Sequence, residues 1–524
     1  MRFYCAARFA AHFLFRICLL ACAAPLAAQD VTLTSRDGSI EIAGNILGYD
    51  GQFYRVDTIY GELTIDGSGV NCDGPGCPDL ESFVAELEIS GAATAGEVLI
   101  PALIDGFARR NRFSMAEETD GPTRTTFVLT QRETGKVVAR FSVHSTNTDE
   151  GFADLLVNEA DVVLSRREIR NEEAQRAYQA GMGEMRAANR ARVLALDALV
   201  PIVAPGSPLT EITLADLAAV FSGRITSWAA LGGPDAPISV HMRDAAAGLA
   251  QAAEDKLLAP IGADLRADAQ RHNSDAALWR AVVADPFSIG LSTVSGIGNA
   301  VPLGLSGDCG FAIHASRRNA KTEDYPLTVP LFLYTPARRL PRLAREFLAY
   351  ARSAPAQLVI RRAGFIDQSP EEMPIDDQGD RFANAIARAG DGVGLEELQR
   401  MVAALTPLSR LTLSFRFQAG SAALDAQSSS NIRQLAVALE SGQFDGRKLV
   451  FVGFSDGAGP AEANRKISMR RAESLRRAVV AATEAMDLTR VELQVEAFGE
   501  AMPMACDDTT WGRQANRRVE VWLR

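Results

Sequence analysis

The chain has 524 residues, 47% of them hydrophobic, which suits three or four globular units with ordinary cores. Its net charge of −11 at pH 7 makes nucleic acid and anionic membrane surfaces poor partners. Arg2, Arg8 and Arg16 are the only charged residues before Ala28, so removing that stretch would take the charge from −11 to −14.

Those three arginines precede or flank the apolar run Ile17 to Leu26, and small residues follow at Ala27-Ala28. Residues 1–28 therefore read as a secretory signal peptide cleaved after Ala28, with an apolar run too short to span a bilayer. Leu19-Leu20-Ala21-Cys22 approximates a lipobox and competes with that site. An exported chain meets oxidising conditions, which permit disulfides among the four cysteines beyond residue 28.

Residues 29–85 alternate in the β manner at Ile40-Glu41-Ile42, Phe53 to Asp57 and Leu63-Thr64-Ile65, with Gly/Asp turns between them. This predicts a small β meander, structural or docking in role. Cys72 and Cys77 enclose Asp-Gly-Pro-Gly, a turn that would let them pair; with no histidine nearby they make a poor zinc site.

Residues 86–368 change texture. Helical spacing covers Val98 to Phe107, Phe152 to Val157 and Leu214 to Phe221, and β-rich runs cover Leu199 to Ala204 and Pro237 to Met242. The alternation predicts an α/β fold with mainly parallel sheets. Phrases such as ISGAATAGEVLIPAL (Ile89 to Leu103), GFADLLVNEADVVLSRREI (Gly151 to Ile169), LTEITLADLAAVFSGRITSWAALGG (Leu209 to Gly233) and DPFSIGLS (Asp285 to Ser292) stand in order here. YPLTVPLFLYT (Tyr325 to Thr335) and AREFLAYARSAPAQLVIRRAGF (Ala344 to Phe365) complete the series. Together they resemble the periplasmic phosphate-binding proteins of ABC importers. The resemblance implies a two-lobed type II periplasmic binding protein fold with a ligand cleft, the chain passing to the second lobe near Leu199 and returning near Pro302.

An oxyanion in such a cleft is held by hydroxyls, backbone N–H groups and usually an arginine. Thr94, Ser145, Thr146, Ser165, Arg166 and Arg243 match places where the family contacts its anion. The family's Arg-then-Ser-Gly-Thr loop is Arg243 to Leu249 here, with Ala247 and Leu249 at the hydroxyl positions. Each lost hydrogen bond to a charged group costs about 1.5–3 kcal/mol, so weak anion binding is expected. His144, His241, His272 and His314 are scattered, and no Walker loop or Gly-x-Ser-x-Gly elbow occurs. Trp228, Trp279 and Phe221 fit apolar periodicity and read as core. The chain reads as a non-enzyme with neither cofactor nor metal site.

Residues 369–408 open on SPEEMPIDDQGD and read as a linker with helical segments, Arg381 to Ala404 being broken at Gly390 to Gly394. Residues 409–524 begin with a strand in which Leu411, Leu413, Phe415 and Phe417 alternate. GFSDGAGPAEANRKISMRRA (Gly453 to Ala472) then ends a strand, turns and opens a helix. At about 100° per residue, Asn464, Ile467, Arg471, Leu475 and Ala478 share one arc. Arg471 sits within an apolar stripe, where an unpaired guanidinium is costly. Asp456 supplies its partner from within, or the two jointly hold a ligand bearing an amine and a carboxylate.

Gly453, Asp456, Gly459, Asn464, Ile467-Ser468 and Arg471-Ala472, flanked by Phe417 to Asp425 and Gly512 to Leu523, resemble the OmpA-like peptidoglycan-binding domain. Phe454 departs from the family's usual His. The resemblance implies that Asp456 and Arg471 clasp the diaminopimelate of the wall peptide, with Ser455, Asn464 and Arg517 beside them. The whole chain then reads as an α/β multidomain binding protein in the periplasm, held to the cell wall and associated with the outer membrane. Its expected partners are peptidoglycan and a small oxyanion such as phosphate, and no nucleic acid. Two alternatives stand: an envelope-organising protein whose lobes dock a partner, and an importer component serving an ABC permease. Once Cys72 pairs with Cys77, Cys309 and Cys506 are left to bond each other across domains.

Overall fold

The computed structural model describes residues 30–524 except 81, 188, 246, 308–310, 390–391, 418–423, 485–486 and 488. The segment expected to be a signal peptide, Cys22 and Cys309 lie outside the described residues. Among the described residues, no helix is long and apolar enough to cross a membrane.

The chain divides into two compact units. The first holds the N-terminal meander together with residues 339–345. Five antiparallel strands between Val31 and Asp73 form its sheet. Val31, Leu33, Tyr54 and Val56 are its buried core. So small a core needs covalent help, and the expected Cys72–Cys77 disulfide is present. Arg339 bonds Asp50 and lies over the Phe53 ring, pinning residues 339–345 to the turn after Tyr49.

The second unit carries the two-lobed α/β fold and the C-terminal α/β fold. One mixed sheet runs through both lobes. The expectation of mainly parallel pairing fails for a local reason. Phe113–Asp120, Arg124–Gln131 and Val137–Thr146 are joined by turns, and such short connections permit only antiparallel neighbours. Parallel ladders occur at Val162–Leu164 with Ile89–Gly91, and where Ser239–Arg243 meets Ser288–Gly290 and Gln270–His272.

The strand Ala191–Val203 joins the lobes. Its first half pairs with Thr328–Tyr334, and from Leu199 onward it pairs with Ser288–Thr293. The chain enters the second lobe near Leu199 as expected, but its return is at Thr328 and not Pro302. Pro302 pairs with Ile202, inside the second lobe. Trp228 and Phe221 lie in that lobe's core, and Trp279 packs beside a smaller one.

The C-terminal sheet orders Glu372–Met373, Ser409–Arg416, Arg518–Leu523, Lys448–Phe454 and Glu492–Gly499. Helices Ala426–Glu440 and Ala461–Ala482 supply Leu435, Leu439, Ala472, Leu475 and Val479 to one face. Helices Gly379–Ala387 and Leu395–Leu405 supply Ala385, Leu398, Met401 and Leu405 to the other, against Val450, Val452 and Trp522. The stretch read as a linker is thus part of the packed structure. Its apolar helical spacing is the sign that it had a sheet to cover.

Glu520, fully buried on the closing strand, is bonded by Arg381, Arg518 and Trp522 Nε1. Burial pushes its carboxyl up, but Arg381, Arg410 and Arg518 together hold it far below the ordinary range. The same burial drops Arg518 to about 10. Glu520 therefore contributes stability that is present above its unfolded value near 4.5 and is lost as pH falls below it. Glu520→Gln is expected to lower the melting temperature at pH 7, with a gap that narrows at pH 3; calorimetry at both values checks it.

Candidate functional sites

The buried strand Val162–Ser165 lies parallel to Ala85–Ala92, so both strands end at one edge of the first lobe. Arg166 follows immediately and is 3% exposed. Its Nη1 donates to Asp197 on the inter-lobe strand at 3.2 Å, while Nε and Nη2 are buried with no hydrogen-bond partner among the described residues. Its backbone N–H donates to Thr148 Oγ1 at 3.1 Å.

The second lobe closes on this group. A Cβ placed on Gly248 would lie 3.2 Å from Arg166 Cδ and 3.6 Å from Ala92 Cβ. Gln251 then ties the lobes, accepting from the Thr148 N–H at 3.3 Å and donating to Asp149 at 3.2 Å. A buried guanidinium with two nitrogens unmatched among the described residues is costly to leave unpaired, and an anion could match them. Burial pushes the Asp197 carboxyl up, against the pull of Arg166.

The remaining expected anion contacts divide. Ser145 Oγ lies against Gly96, 2.4 Å from where a Cβ would stand, and Thr94 precedes the same helical turn without a side-chain cap bond. Thr146 Oγ1 makes a long 3.5 Å contact with the Asn147 carbonyl. Ser165 is not a free donor, because its hydroxyl bonds the Arg167 carbonyl at 2.6 Å. Arg243 is committed too: Nε, Nη1 and Nη2 donate to the His272 carbonyl, Asp275 and the Asn273 carbonyl. Leu249 is 2% exposed in the second lobe's core, so only Ala247, which caps the helix Gly248–Ala253 without a side-chain bond, stands at the cleft loop. Sequence reasoning missed Thr148, Asp197 and Gln251. Asp197 had a visible signal, a lone carboxylate in the apolar run Val193 to Val203.

In the C-terminal fold, the helix Ala461–Ala482 buries Asn464, Ser468, Ala472, Leu475 and Val479. That line is turned about one residue from the predicted arc. Gly453 explains the turn, since a Cβ there would meet the Ser468 carbonyl at 2.2 Å and the helix backbone rests on the strand. Arg471 therefore lies at the helix edge, half-buried, its guanidinium 5.4 Å from the centre of the Phe417 ring. Asp456 bonds Arg517 Nη1 at 2.6 Å, so the acidic turn and Arg471 are not directly paired. Burial, then repulsion from Arg517, lowers the Arg471 pKa. Ser455 Oγ and Arg517 Nε are buried without a hydrogen-bond partner among the described residues. Asn464 shapes the turn through Glu500 at 2.5 Å and the Gly459 carbonyl.

Residues 126–355 match the model of the PBP superfamily domain, and residues 416–517 match the OmpA family. This chain joins a PBP superfamily domain to an OmpA family domain. It is 24% identical over 210 residues to the phosphate-binding protein PstS of Borreliella burgdorferi, covering 39% of this chain and 71% of that protein. It is 29% identical over 107 residues to the probable lipoprotein YiaD of Escherichia coli, covering 20% of this chain and 46% of that protein. Among solved structures, an ABC-type phosphate transport receptor from Vibrio cholerae is 20% identical with a TM-score of 0.41, covering 53% of this chain and 99% of that one. PstS from Borrelia burgdorferi is 20% identical with a TM-score of 0.39, covering 54% and 98%.

The PBP domain and the OmpA domain meet at a cavity of about 290 Å³. Glu323 lines it with Asp425, Arg416 and Lys256. Burial, then Asp425, pushes Glu323 up to about 8 against the pull of Arg416 and Lys256, with Asp324 adding to the rise. The folded state therefore binds more protons than the unfolded chain between the ordinary 4.5 and about 8, and this group's contribution falls as pH rises through that window. Lys256, whose pKa burial lowers, works in the opposite sense. Glu323→Gln is expected to shrink the fall in melting temperature between pH 5 and pH 8.5, as read by calorimetry at both values.

Proposed function

We propose that this protein is a periplasmic solute-binding protein for phosphate or a related oxyanion, anchored non-covalently to peptidoglycan through its OmpA domain. One observation carries the reading: Arg166 is enclosed between the lobes with Nε and Nη2 unmatched. The names of the similar proteins support phosphate as the first ligand to try. Thr94, Ser145 and Thr148 are the hydroxyls nearest this role, and Arg243 supports the loop that faces it. With Ser165 and Arg243 bonded internally, the site offers fewer donors than the full expected set. Binding weaker than that of a site with the full donor set is expected.

Calorimetric titration of the mature protein with phosphate in phosphate-free buffer tests this. Saturable heat that sulfate does not reproduce supports it. A second reading, an envelope-organising protein whose lobes dock a partner, is favoured by the same internal bonding of Ser165 and Arg243. Absence of binding by phosphate, sulfate and other small oxyanions would select it. Wall attachment is assigned to Asp456, Arg471, Ser455, Asn464 and Arg517, with the diaminopimelate stem peptide as ligand and an ABC permease as the partner of any transport role.

A further inference from the structure

The first-lobe helix Thr148–Leu156 bears on three segments of the proposed anion site. Asn147 caps it, accepting from the Glu150 N–H at 2.9 Å, and Thr148 Oγ1 receives the Arg166 N–H. One turn on, Gly151 lets the helix rest on the loop that leads to Thr94. A Cβ at Gly151 would stand 2.8 Å from Gly91 Cα and 3.1 Å from the Ser90 carbonyl oxygen. Another turn on, Asp154 is buried, and its Oδ2 takes two bonds. Ser90 Oγ donates at 2.6 Å, and His144 Nδ1 lies at 2.8 Å. A carboxylate oxygen accepts, so the imidazole hydrogen facing it is on Nδ1.

Ser90 stands immediately before residues 91–94, and His144 immediately before Ser145 and Thr146. One buried carboxylate thus ties together the starts of two hydroxyl-bearing segments. These three side chains do not make a nucleophile. In a Ser-His-Asp triad the hydroxyl bonds the imidazole, whereas here hydroxyl and imidazole both bond the carboxylate.

We infer that Asp154 is a positioning residue of the anion site, holding residues 91–94 and Ser145-Thr146 in register with each other and with Arg166. It acts through Ser90 and His144 and not on the anion. The loop needs such a tie at its root. Gly91 has a φ of 127° and sits where a Cβ would meet the Leu164 carbonyl oxygen at 2.1 Å, so the backbone turns sharply there and carries no side chain of its own. Ser90, 2% exposed, is the adjacent side chain that fixes it, and water cannot cheaply replace a bond at that depth. The helix then carries the same constraint to Arg166 through Thr148. For its ligand this inference rests on the proposed anion reading; the tie between the two segments does not.

Hydrogen exchange of the full mature chain without phosphate tests the tie directly. Asp154→Ala is expected to speed exchange at 91–94 and at 145–146 by at least about tenfold. Asp154→Asn should restore both segments nearly to the parent rate, because both bonds run to one oxygen and an asparagine carbonyl can stand in its place. Ser90→Ala should free 91–94 and leave 145–146 unchanged. Thr126→Ala is the control, since it removes a 3.1 Å bond to Ser142 between neighbouring strands of the same lobe. In calorimetry, Asp154→Ala should bind phosphate about tenfold more weakly and Asp154→Asn should bind it like the parent. Unchanged exchange at either segment in Asp154→Ala, or equal acceleration by Thr126→Ala, would overturn the positioning role. Should Asp154→Ala not fold, Ser90→Ala decides: equal exchange of 91–94 in that variant and the parent also overturns it. If the exchange pattern holds but the parent takes up no phosphate, the phosphate reading fails and the tie stands.

Discussion

Arg166→Ala is expected to weaken phosphate binding by at least about 100-fold. Two N–H groups of a buried guanidinium would each contribute about 1.5–3 kcal/mol to an anion, and every 1.4 kcal/mol is tenfold. The single substitution also strands Asp197, which is 2% exposed and has Arg166 as its ion partner. Stranding a buried charge is destabilising by about 3–5 kcal/mol, so the variant is paired with Arg166→Met/Asp197→Asn, which removes both charges. The double variant should keep its melting temperature within a few degrees of the parent and still bind no phosphate in calorimetry. Retained affinity in a folded double variant would place the anion elsewhere. The same geometry separates two ways of adding a hydroxyl. Ala247→Ser supplies one at the cleft loop and a cap for the helix Gly248–Ala253, and should tighten binding several-fold. Leu249→Thr puts its hydroxyl into the apolar core of the second lobe and should lower stability without improving affinity.

What the sequence displayed of this molecule was mostly what repeats locally. Helix Leu214–Phe221 has the predicted ends, and Leu199 does mark the crossing strand. These follow from apolar spacing, which neighbours in the chain reveal. The return crossing at Thr328 was hidden because Pro302 and Thr328 both lie on strands that pair with Ala191–Val203, and pairing order is a long-range property. For the sites, residue type was legible and commitment was not. Arg166 and Arg243 look alike in sequence, yet one keeps two nitrogens unmatched among the described residues while the other bonds His272, Asn273 and Asp275. Likewise the rotation that leaves Arg471 at a helix edge depends on how closely Gly453 lets the helix approach. The role of Arg410 was not visible at all, because Asp324 belongs to a different domain.

The proposed wall site gives the second large effect: Arg471→Ala is expected to reduce co-sedimentation of the full chain with diaminopimelate-containing peptidoglycan to background. Fold stability should change little, because among the described residues the guanidinium's contact is a cation–π one with Phe417, worth about 0.5–1 kcal/mol at such a site. A half-buried cation with so weak a native partner is poised for a carboxylate, which it can grip with two parallel bonds. Asp456 would take the ligand's amine while still bonded to Arg517. Asp456→Asn should therefore also abolish sedimentation, and the 2.6 Å contact with Arg517 predicts a small loss of melting temperature for it alone. The full chain is the right object. A fragment beginning at Leu411 would lose Arg381, which bonds buried Glu520, and the two helices that cover Trp522. Failure of that fragment to bind would report its unfolding and say nothing of the site. If Arg471→Ala and Asp456→Asn both sediment like the parent, the turn and the arginine serve the fold only, and the chain reaches the wall by another surface.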